Sequence, residues 1–409
     1  MTLTYRFNYY GKDIQNILEL CKISKNLYNQ TLYAVKQELR ENNKFLSYKD
    51  LDKIMKETKN LEGTINYRLL KAHVSQQCIR NIDKDIKSYV RSIKDWSRNK
   101  EKYNGRPRLP KYKKEYNLLT YTNQCCTIKD GKINLSKDLA VRIPQYDKYK
   151  DCLENFKQVR ILPKSDKNVA IEIIYEKECR NGELDNSKYA TIDMGINNLA
   201  TVIFDCNETV LYNGRVLKSI NQFTNKMVAK YKSELEKKNG KKSSNRIRMF
   251  YGKRNASVND LFHKISRNIV NKAINYGIGT IVVGYNKGWK DSINIGKRNN
   301  QTFVQIPFER LLEMLEYKCE QCGINFVKNE ESYTSKCDSL AMEDVCKHDV
   351  YSGKRVKRGL FQSSCRKLIN ADVNGSLNIL RKVFGDSDSG VCRIINSGRL
   401  FRPVKCNIL

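Results

Sequence analysis

Two aspartates stand where a phosphate-directed site would need them. Asp372 lies in Ile369-Asn370-Ala371-Asp372-Val373-Asn374-Gly375-Ser376-Leu377-Asn378-Ile379-Leu380, whose apolar spacing predicts an amphipathic helix with that carboxylate in its first turn. Asp193 ends the short apolar strand Tyr189-Ala190-Thr191-Ile192. Acids delivered by a strand end and a distant helix suit hard cations, because Mg²⁺ takes oxygen ligands and keeps waters for phosphate chemistry. Two acids are too few, since two ions about 3.5–4 Å apart require at least a third ligand between them. The strand after the long central helix ends Val282-Val283-Gly284, and glycine has no side chain to offer. The nearest substitutes are Glu330 and Glu331, which close the following strand. If that strand pairs beside the Gly284 strand, its end lies one spacing away, about 4.8 Å, within reach of a glutamate. Successive side chains on a strand face opposite ways, so one of the two should point inward. Glu331 is preferred, with Glu330 as the alternative.

Composition narrows the partner. The 409 residues hold 76 Lys+Arg against 44 Asp+Glu, a formal net charge of +32, and a field of that sign draws polyphosphate. Nucleic acid is expected, with no small-molecule substrate. The length suggests more than one domain. Although 14 cysteines are present, several sit singly within apolar or helical patterns, so reduced thiols are expected in place of a disulfide framework. No window approaches a membrane span, and Met1–Phe7 has no signal-peptide core. The expected location is the cytoplasm of a bacterium, with action at the nucleoid.

The elements that must position these groups are readable by period. Residues 2–9 form a strand, and two long helical patterns follow, Ile14 to Leu39 and Leu70 to Ile93, making a helical bundle over about 11–100. Arg91–Lys114 carries ten Lys/Arg against two acids, interleaved with Trp96, Tyr103 and Tyr112 and broken by Pro107 and Pro110. Proline forces an extended path, so this is a basic connector whose Arg106, Arg108, Lys111, Lys113 and Lys114 can grip phosphates while aromatic planes stack on bases. Short strands follow at 118–122, 126–129, 133–135, 158–162 and 169–175, with a hairpin signal at Asp130-Gly131. With residues 2–9 they could close a small barrel or sandwich around the inserted bundle. Beyond residue 187 come two strands, then a basic helical stretch 215–254 with thirteen Lys/Arg against two Glu, including Lys241, Lys242, Arg246 and Arg248. A long helix from Val258 to Tyr276, a buried strand 280–284, a helix 307–317, a strand 324–330 and the Asp372 helix complete an order that a ribonuclease-H-like α/β domain requires. The chain as a whole reads as α+β multidomain. Residues 385–409 look like a loosely ordered tail without a function.

At these positions the chain resembles the TnpB (OrfB) family of transposon-encoded, RNA-guided DNA endonucleases, relatives of the compact type V CRISPR effectors. The resemblance rests on Asp193-Met194-Gly195 through Leu199-Ala200-Thr201, Phe262-His263-Lys264-Ile265-Ser266-Arg267, Tyr285-Asn286-Lys287-Gly288-Trp289, Gln305-Ile306-Pro307-Phe308, Glu330-Glu331-Ser332-Tyr333-Thr334-Ser335-Lys336, Ser352–Leu360 and Asn370–Gly375, in that order. A succession of this kind is far more specific than any one motif. It implies a wedge-like β domain (1–10 and 101–185) with an inserted recognition bundle (11–100), and a RuvC nuclease domain (186–336 and 369–384). The insertion 337–368 would be a degenerate zinc-ribbon-like element binding target nucleic acid. It also implies a guide RNA, a double-stranded DNA target beside a short flanking motif, and cleavage dependent on two Mg²⁺ ions held by Asp193, Glu331 and Asp372.

Two departures from the family pattern stand out. Gly284 occupies the place of the usual middle glutamate, which resembles a branch in which that acid has moved. The alternative is a nuclease-inactive, RNA-guided repressor; a strand-joining transposase is a further rival. The usual zinc ribbon of two Cys-x-x-Cys pairs is also absent: the interval offers Cys337, Cys346, His348 and Cys365, without pair spacing, so zinc is not expected. His263 reads as a phosphate contact or a plain hydrogen-bonding residue and not as a base. Arg267, Lys354, Arg355 and Arg358 are further candidates for phosphate contact.

Overall fold

The computed structural model describes residues 1–179, 184–205, 208–286 and 305–408. They divide into two compact units, Met1–Glu178 and Cys179–Leu409.

The first unit opens with β1 (Thr2–Tyr9), followed by α1 (Ile14–Asn42), α2 (Tyr48–Met55) and α3 (Ala72–Arg98). Helices α1 and α3 bury Ile17, Leu18, Cys21, Leu27 and Leu32 against Val74, Cys78, Ile79 and Ile82, the faces that the helical period selected. Each such side chain contributes about 1.5–3 kcal/mol on leaving water. Ser47 caps α2 in a reciprocal box with Asp50. The chain then forms β2 (Leu119–Thr122), β3 (Thr127–Lys129), β4 (Lys132–Asn134), β5 (Ala140–Arg142), α4 (Tyr146–Leu153), β6 (Phe156–Ser165) and β7 (Asn168–Glu176). Asp130 and Gly131 both hold positive φ, 51° and 71°, as the two-residue turn between β3 and β4 demands. Where a barrel or sandwich was expected, the hydrogen bonds give two sheets. One sheet runs β1-β7-β6-β2 and a second β3-β4-β5, and among the described residues β1 and β2 do not pair with each other. Strands of three residues pair locally across their turns and supply too few bonds to close a larger sheet.

The second unit holds β8 (Asp185–Asp193), β9 (Asn198–Phe204), β10 (Glu208–Asn213), α5 (Arg215–Asn239), α6 (Asn245–Asn275), β11 (Ile278–Gly284), α7 (Phe308–Gln321), β12 (Asn325–Asn329), β13 (Lys354–Lys357), β14 (Leu360–Gln362), β15 (Leu368–Asn370), α8 (Ala371–Phe384), α9 (Ser389–Asn396) and β16 (Val404–Cys406). Six strands form one mixed sheet, β12-β11-β8-β9-β10-β16. β11 is parallel to both β8 and β12, while β9 is antiparallel to β8 and β10. Alternation splits the central strands between two cores: Ala190, Ile192, Ile281 and Val283 pack with α6 and α7, whereas Tyr189, Ile203 and Val282 pack with α8 and α9. Both faces of the sheet are covered, which explains why its central strands are apolar throughout.

The described residues of the 385–409 segment, 385–408, are not a loose tail. Asp388 caps α9, Val391, Ile394 and Leu400 are fully buried, and β16 adds a parallel edge strand to β10. The sequence hid this because Val404-Lys405-Cys406 is too short to show a period. All thirteen described cysteines are free thiols, and burial pushes those of Cys21 and Cys78 up to about 12. Among the described residues no helix is long and apolar enough to cross a membrane.

Candidate active site

β8 and β11 run parallel, with Ile192 opposite Val283, so Asp193 leaves the sheet at the same level as Gly284. β12 pairs with β11 in register, Asn329 opposite Gly284, and the next residues turn over that end. A Cβ placed on Gly284 would meet Oε2 of Glu331 at 2.6 Å and Cδ1 of Ile379 at 2.5 Å. The Glu331 carboxylate therefore fills the space that a side chain on residue 284 would occupy. Its backbone is fixed by the N–H donating to Oδ1 of Asn286 at 3.1 Å and the carbonyl accepting from Thr334 Oγ1 at 2.8 Å. Glu330 points the other way: it is exposed, pairs with Lys382 and accepts from Ser332, and those contacts hold its carboxyl below the usual range.

Asp372 arrives on α8, which packs on the same face of the sheet as the Glu331 carboxylate. Asn370 caps α8, its Oδ1 accepting from the N–H groups of Asp372 and Val373, so Asp372 sits in the first turn, where the helix dipole favours a negative charge. Small residues let α8 approach closely: Thr191 Oγ1 donates to the Ser376 carbonyl at 2.9 Å, and a Cβ on Gly375 would lie 2.9 Å from Oδ2 of Asp193. The amide of Asn198 donates to Oδ2 of Asp372 at 2.7 Å.

The acids act on one another electrostatically. Asp193 keeps a little solvent access but is packed around by protein, and burial, then Asp372, then Glu331 drive its carboxyl well above the ordinary value, with Arg355 partly opposing them. Burial, then Glu330, raises Glu331 to about 7, with Lys382 opposing. Among the described residues no three acidic, imidazole or thiol groups close into a tight ligand cluster. The donor chemistry nevertheless fits a hard divalent cation: buried carboxylates that repel one another are relieved by added positive charge.

Basic groups surround this end of the sheet. Lys354 and Arg355 lie exposed on β13 and Arg358 in the turn beyond it. Lys218, in the first turns of α5, donates to Asn197, and burial, then Arg358 and Arg215, lower its pKa. Sequence reading missed Asn198, Asn286 and Lys218. Asn198 lay inside a quoted motif, but a lone amide between two apolar strands carries no signal of its partner.

The other basic candidates lie elsewhere. In the first unit Arg106, Arg108, Lys111, Lys113 and Lys114 are all exposed, with Arg106 over the Trp96 ring at 5.9 Å, Lys113 over Tyr28 at 5.0 Å and Lys36 over Tyr112 at 4.0 Å. In the second, Lys241 and Lys242 occupy the turn between α5 and α6, Arg246 stacks on Tyr231 at 4.0 Å, and Arg248 bonds Asn245. His263 and Arg267 line a separate surface groove with Lys264 and Tyr317; partial burial, then Lys318, hold the His263 ring below its usual range. Cys337 is buried while Cys346 and Cys365 are exposed. Of the Tyr285–Trp289 motif, Lys287, Gly288 and Trp289 lie outside the described residues.

Residues 172–290 match the family profile OrfB_IS605, described as a probable transposase, and residues 308–379 match the Cas12f1-like TNB domain. Over these residues the chain is similar to TnpB and Cas12f1 proteins. The family resemblance read from the motifs holds. Over 208 residues, 49% of this chain and 42% of the relative, it is 24% identical to TnpB-like protein ORF457 of Acidianus two-tailed virus. Over 119 residues, 29% of this chain and 25% of the relative, it is 30% identical to the CRISPR-associated endodeoxyribonuclease Cas12f1 of Sulfoacidibacillus thermotolerans. These matches span less than half of either relative. In fold it is similar to Cas12f1 in a complex with sgRNA and target DNA, at TM-score 0.52 and 15% identity, covering 90% of this chain and 83% of that one.

Proposed function

We propose that this TnpB-like chain is an RNA-guided DNA endonuclease whose hydrolytic centre is Asp193, Glu331 and Asp372. The observation that carries the proposal is the seat of the Glu331 carboxylate over Gly284, at the strand level from which Asp193 emerges. The two-sided sheet with acids at strand ends and on a closing helix supports the ribonuclease-H-like, RuvC reading, and the domain division given above belongs to the same proposal. Two Mg²⁺ ions held by these three acids would supply an activated water and charge relief at the leaving oxygen. The chain's own residues do the rest. Asn198 orients Asp372, Asn286 fixes the backbone of Glu331, and Arg355 with Lys354, Arg358 and Lys218 holds the phosphates of the strand to be cut. The exposed cations of 106–114 and of α5–α6 bind guide RNA and double-stranded DNA through their backbones.

RNA that copurifies from cells is sequenced, and the matching DNA is offered with Mg²⁺. A discrete RNA and cleavage that Asp193→Ala abolishes, with RNA binding intact, are expected. Guided binding without any cutting by the parent chain would leave the repressor reading; cutting by Asp193→Ala would refute the assignment.

A further inference from the structure

The segment between the Glu331 turn and α8 holds Cys337, Cys346, His348 and Cys365, and these do not fit a zinc site. Cys337 Sγ donates to the Cys346 carbonyl at 3.5 Å, Cys365 Sγ lies 2.9 Å from Ser363 Oγ, and Cys346 Sγ lies 3.4 Å from His348 Nε2. The donors thus turn to local partners and do not converge, and among the described residues no metal-ligand group forms. At the centre of the segment is a different group. The Asp338 side chain is fully buried. Its Oδ1 accepts from the N–H groups of Leu340 at 3.2 Å and Ala341 at 3.3 Å. Its Oδ2 accepts from Ser363 Oγ at 2.7 Å, Ser364 N–H at 2.7 Å and Ser364 Oγ at 3.1 Å. A buried carboxylate without its full set of donors costs several kcal/mol, so this saturation is what permits it there.

We propose that the Asp338 carboxylate takes the structural place of a zinc ion, cross-linking the loop 338–341 to the loop 363–364 and making this insertion metal-independent. Like a tetrahedral ion, it receives donors from two loops far apart in sequence. A second carboxylate extends the link: Glu343 accepts from the Asp338 N–H at 2.7 Å and from the Ser352 N–H at 2.7 Å. The assembled loops dock on α8, where Asn374 Oδ1 accepts from Ser339 N–H and Oγ, and the Asn374 and Asn378 amides both donate to the Cys337 carbonyl. The fold of the insertion then survives chelation and thiol oxidation, conditions that dismantle a zinc ribbon.

The test uses the full chain. Zinc content is measured by elemental analysis, and thermal unfolding and limited proteolysis of 337–368 are followed with and without 1,10-phenanthroline, for the parent, Asp338→Asn and Ser363→Ala. Expected are far less than one zinc per chain and no effect of the chelator. Asp338→Asn, which aims an amide at donors, should lower the midpoint by about 5–10 °C and open the segment to protease, with a smaller change in Ser363→Ala. Stoichiometric zinc whose removal destabilises the parent would overturn the proposal, as would an Asp338→Asn protein with the parent's midpoint and cleavage pattern. If Asp338→Asn does not fold, the zinc content and the Ser363→Ala shift decide it by the same signs.

Discussion

The carboxylate of Glu331 lies where the side chain of residue 284 would be: its Oε2 is 2.6 Å from the position of a Cβ on Gly284. A glycine there is the counterpart of an acid delivered from the neighbouring strand, and each requires the other. Gly284→Ala should therefore push Glu331 and Ile379 aside, costing roughly 1–3 kcal/mol of stability and most of the cleavage activity. Because the two positions share one volume, Gly284→Glu combined with Glu331→Ala should recover part of the activity that Glu331→Ala loses. A double variant no better than that single one, though folded, would count against the shared seat.

The two adjacent glutamates should separate cleanly. Glu331→Gln is expected to reduce the cleavage rate on the order of 10²–10³-fold, the scale of losing one charge-stabilising group. Glu330→Gln removes an exposed acid paired with Lys382 and should stay within a few-fold of the parent. Single-turnover rates at saturating guide and Mg²⁺ make the comparison; a larger loss in Glu330→Gln would reverse the assignment.

The pH dependence follows from the raised acids. Burial, then Glu330, lifts Glu331 to about 7, above the 4.5 of an ordinary glutamate. Cation binding needs the ionised form, so cleavage at limiting Mg²⁺ should fall as pH drops through about 7, and more Mg²⁺ should move that midpoint to lower pH. For folding without metal the sign is opposite to that of a salt-bridged acid. Between pH 4.5 and about 7 the folded chain binds the extra proton, so the stability tied to Glu331 is present below that window and lost as pH rises through it, by on the order of 3 kcal/mol. Unfolding midpoints in chelator should thus show Glu331→Gln gaining on the parent as pH rises; parallel curves would rule this out.

Asn198 should matter without touching substrate. Its 2.7 Å bond to Asp372 orients that carboxylate, and losing such a partner usually costs about 10–100-fold in metal affinity or activity. Asn198→Ala should raise the Mg²⁺ needed for half-maximal cleavage while guide-RNA affinity is unchanged. An unaltered Mg²⁺ titration would show the bond to be incidental.

The C-terminal segment should prove structural. Arg393 holds the buried Asp205 through two bonds, at 3.0 and 2.7 Å, tying α9 to the end of β9. Arg393→Ala removes both of these bonds to a buried acid and should destabilise the second unit by about 3 kcal/mol, measured by chemical denaturation. A loss below 0.5 kcal/mol, the scale of an ordinary surface substitution, would mean the segment contributes little.

Local pattern was enough for the long helices, where burial imposes a period on ten or more residues at once, and for the central strands, where burial on both faces leaves a continuous apolar run. Leu27, Ile82, Ile265 and Leu377, inside those helical patterns, are all buried. Two of the three-residue strands escaped it: β5 and β16 are too short to alternate, and β16 pairs along the edge of β10. How the strands of the first unit join into two sheets has the same origin, since it depends on which edges meet.

By itself the sequence determined a strongly basic chain, the two aspartates through their places at a strand end and a helix start, and a glycine where an acid was expected. Which glutamate faces Gly284 was not written there, because Glu330 and Glu331 have the same chemistry and adjoining positions. The β11–β12 register decided it, turning one side chain over Gly284 and the other toward Lys382. The same holds for Asp338, an unremarkable aspartate in the chain. It becomes the hub of a module only when folding brings Leu340, Ala341, Ser363 and Ser364 around it, since hydrogen bonds between distant segments are set by packing and leave no periodic trace.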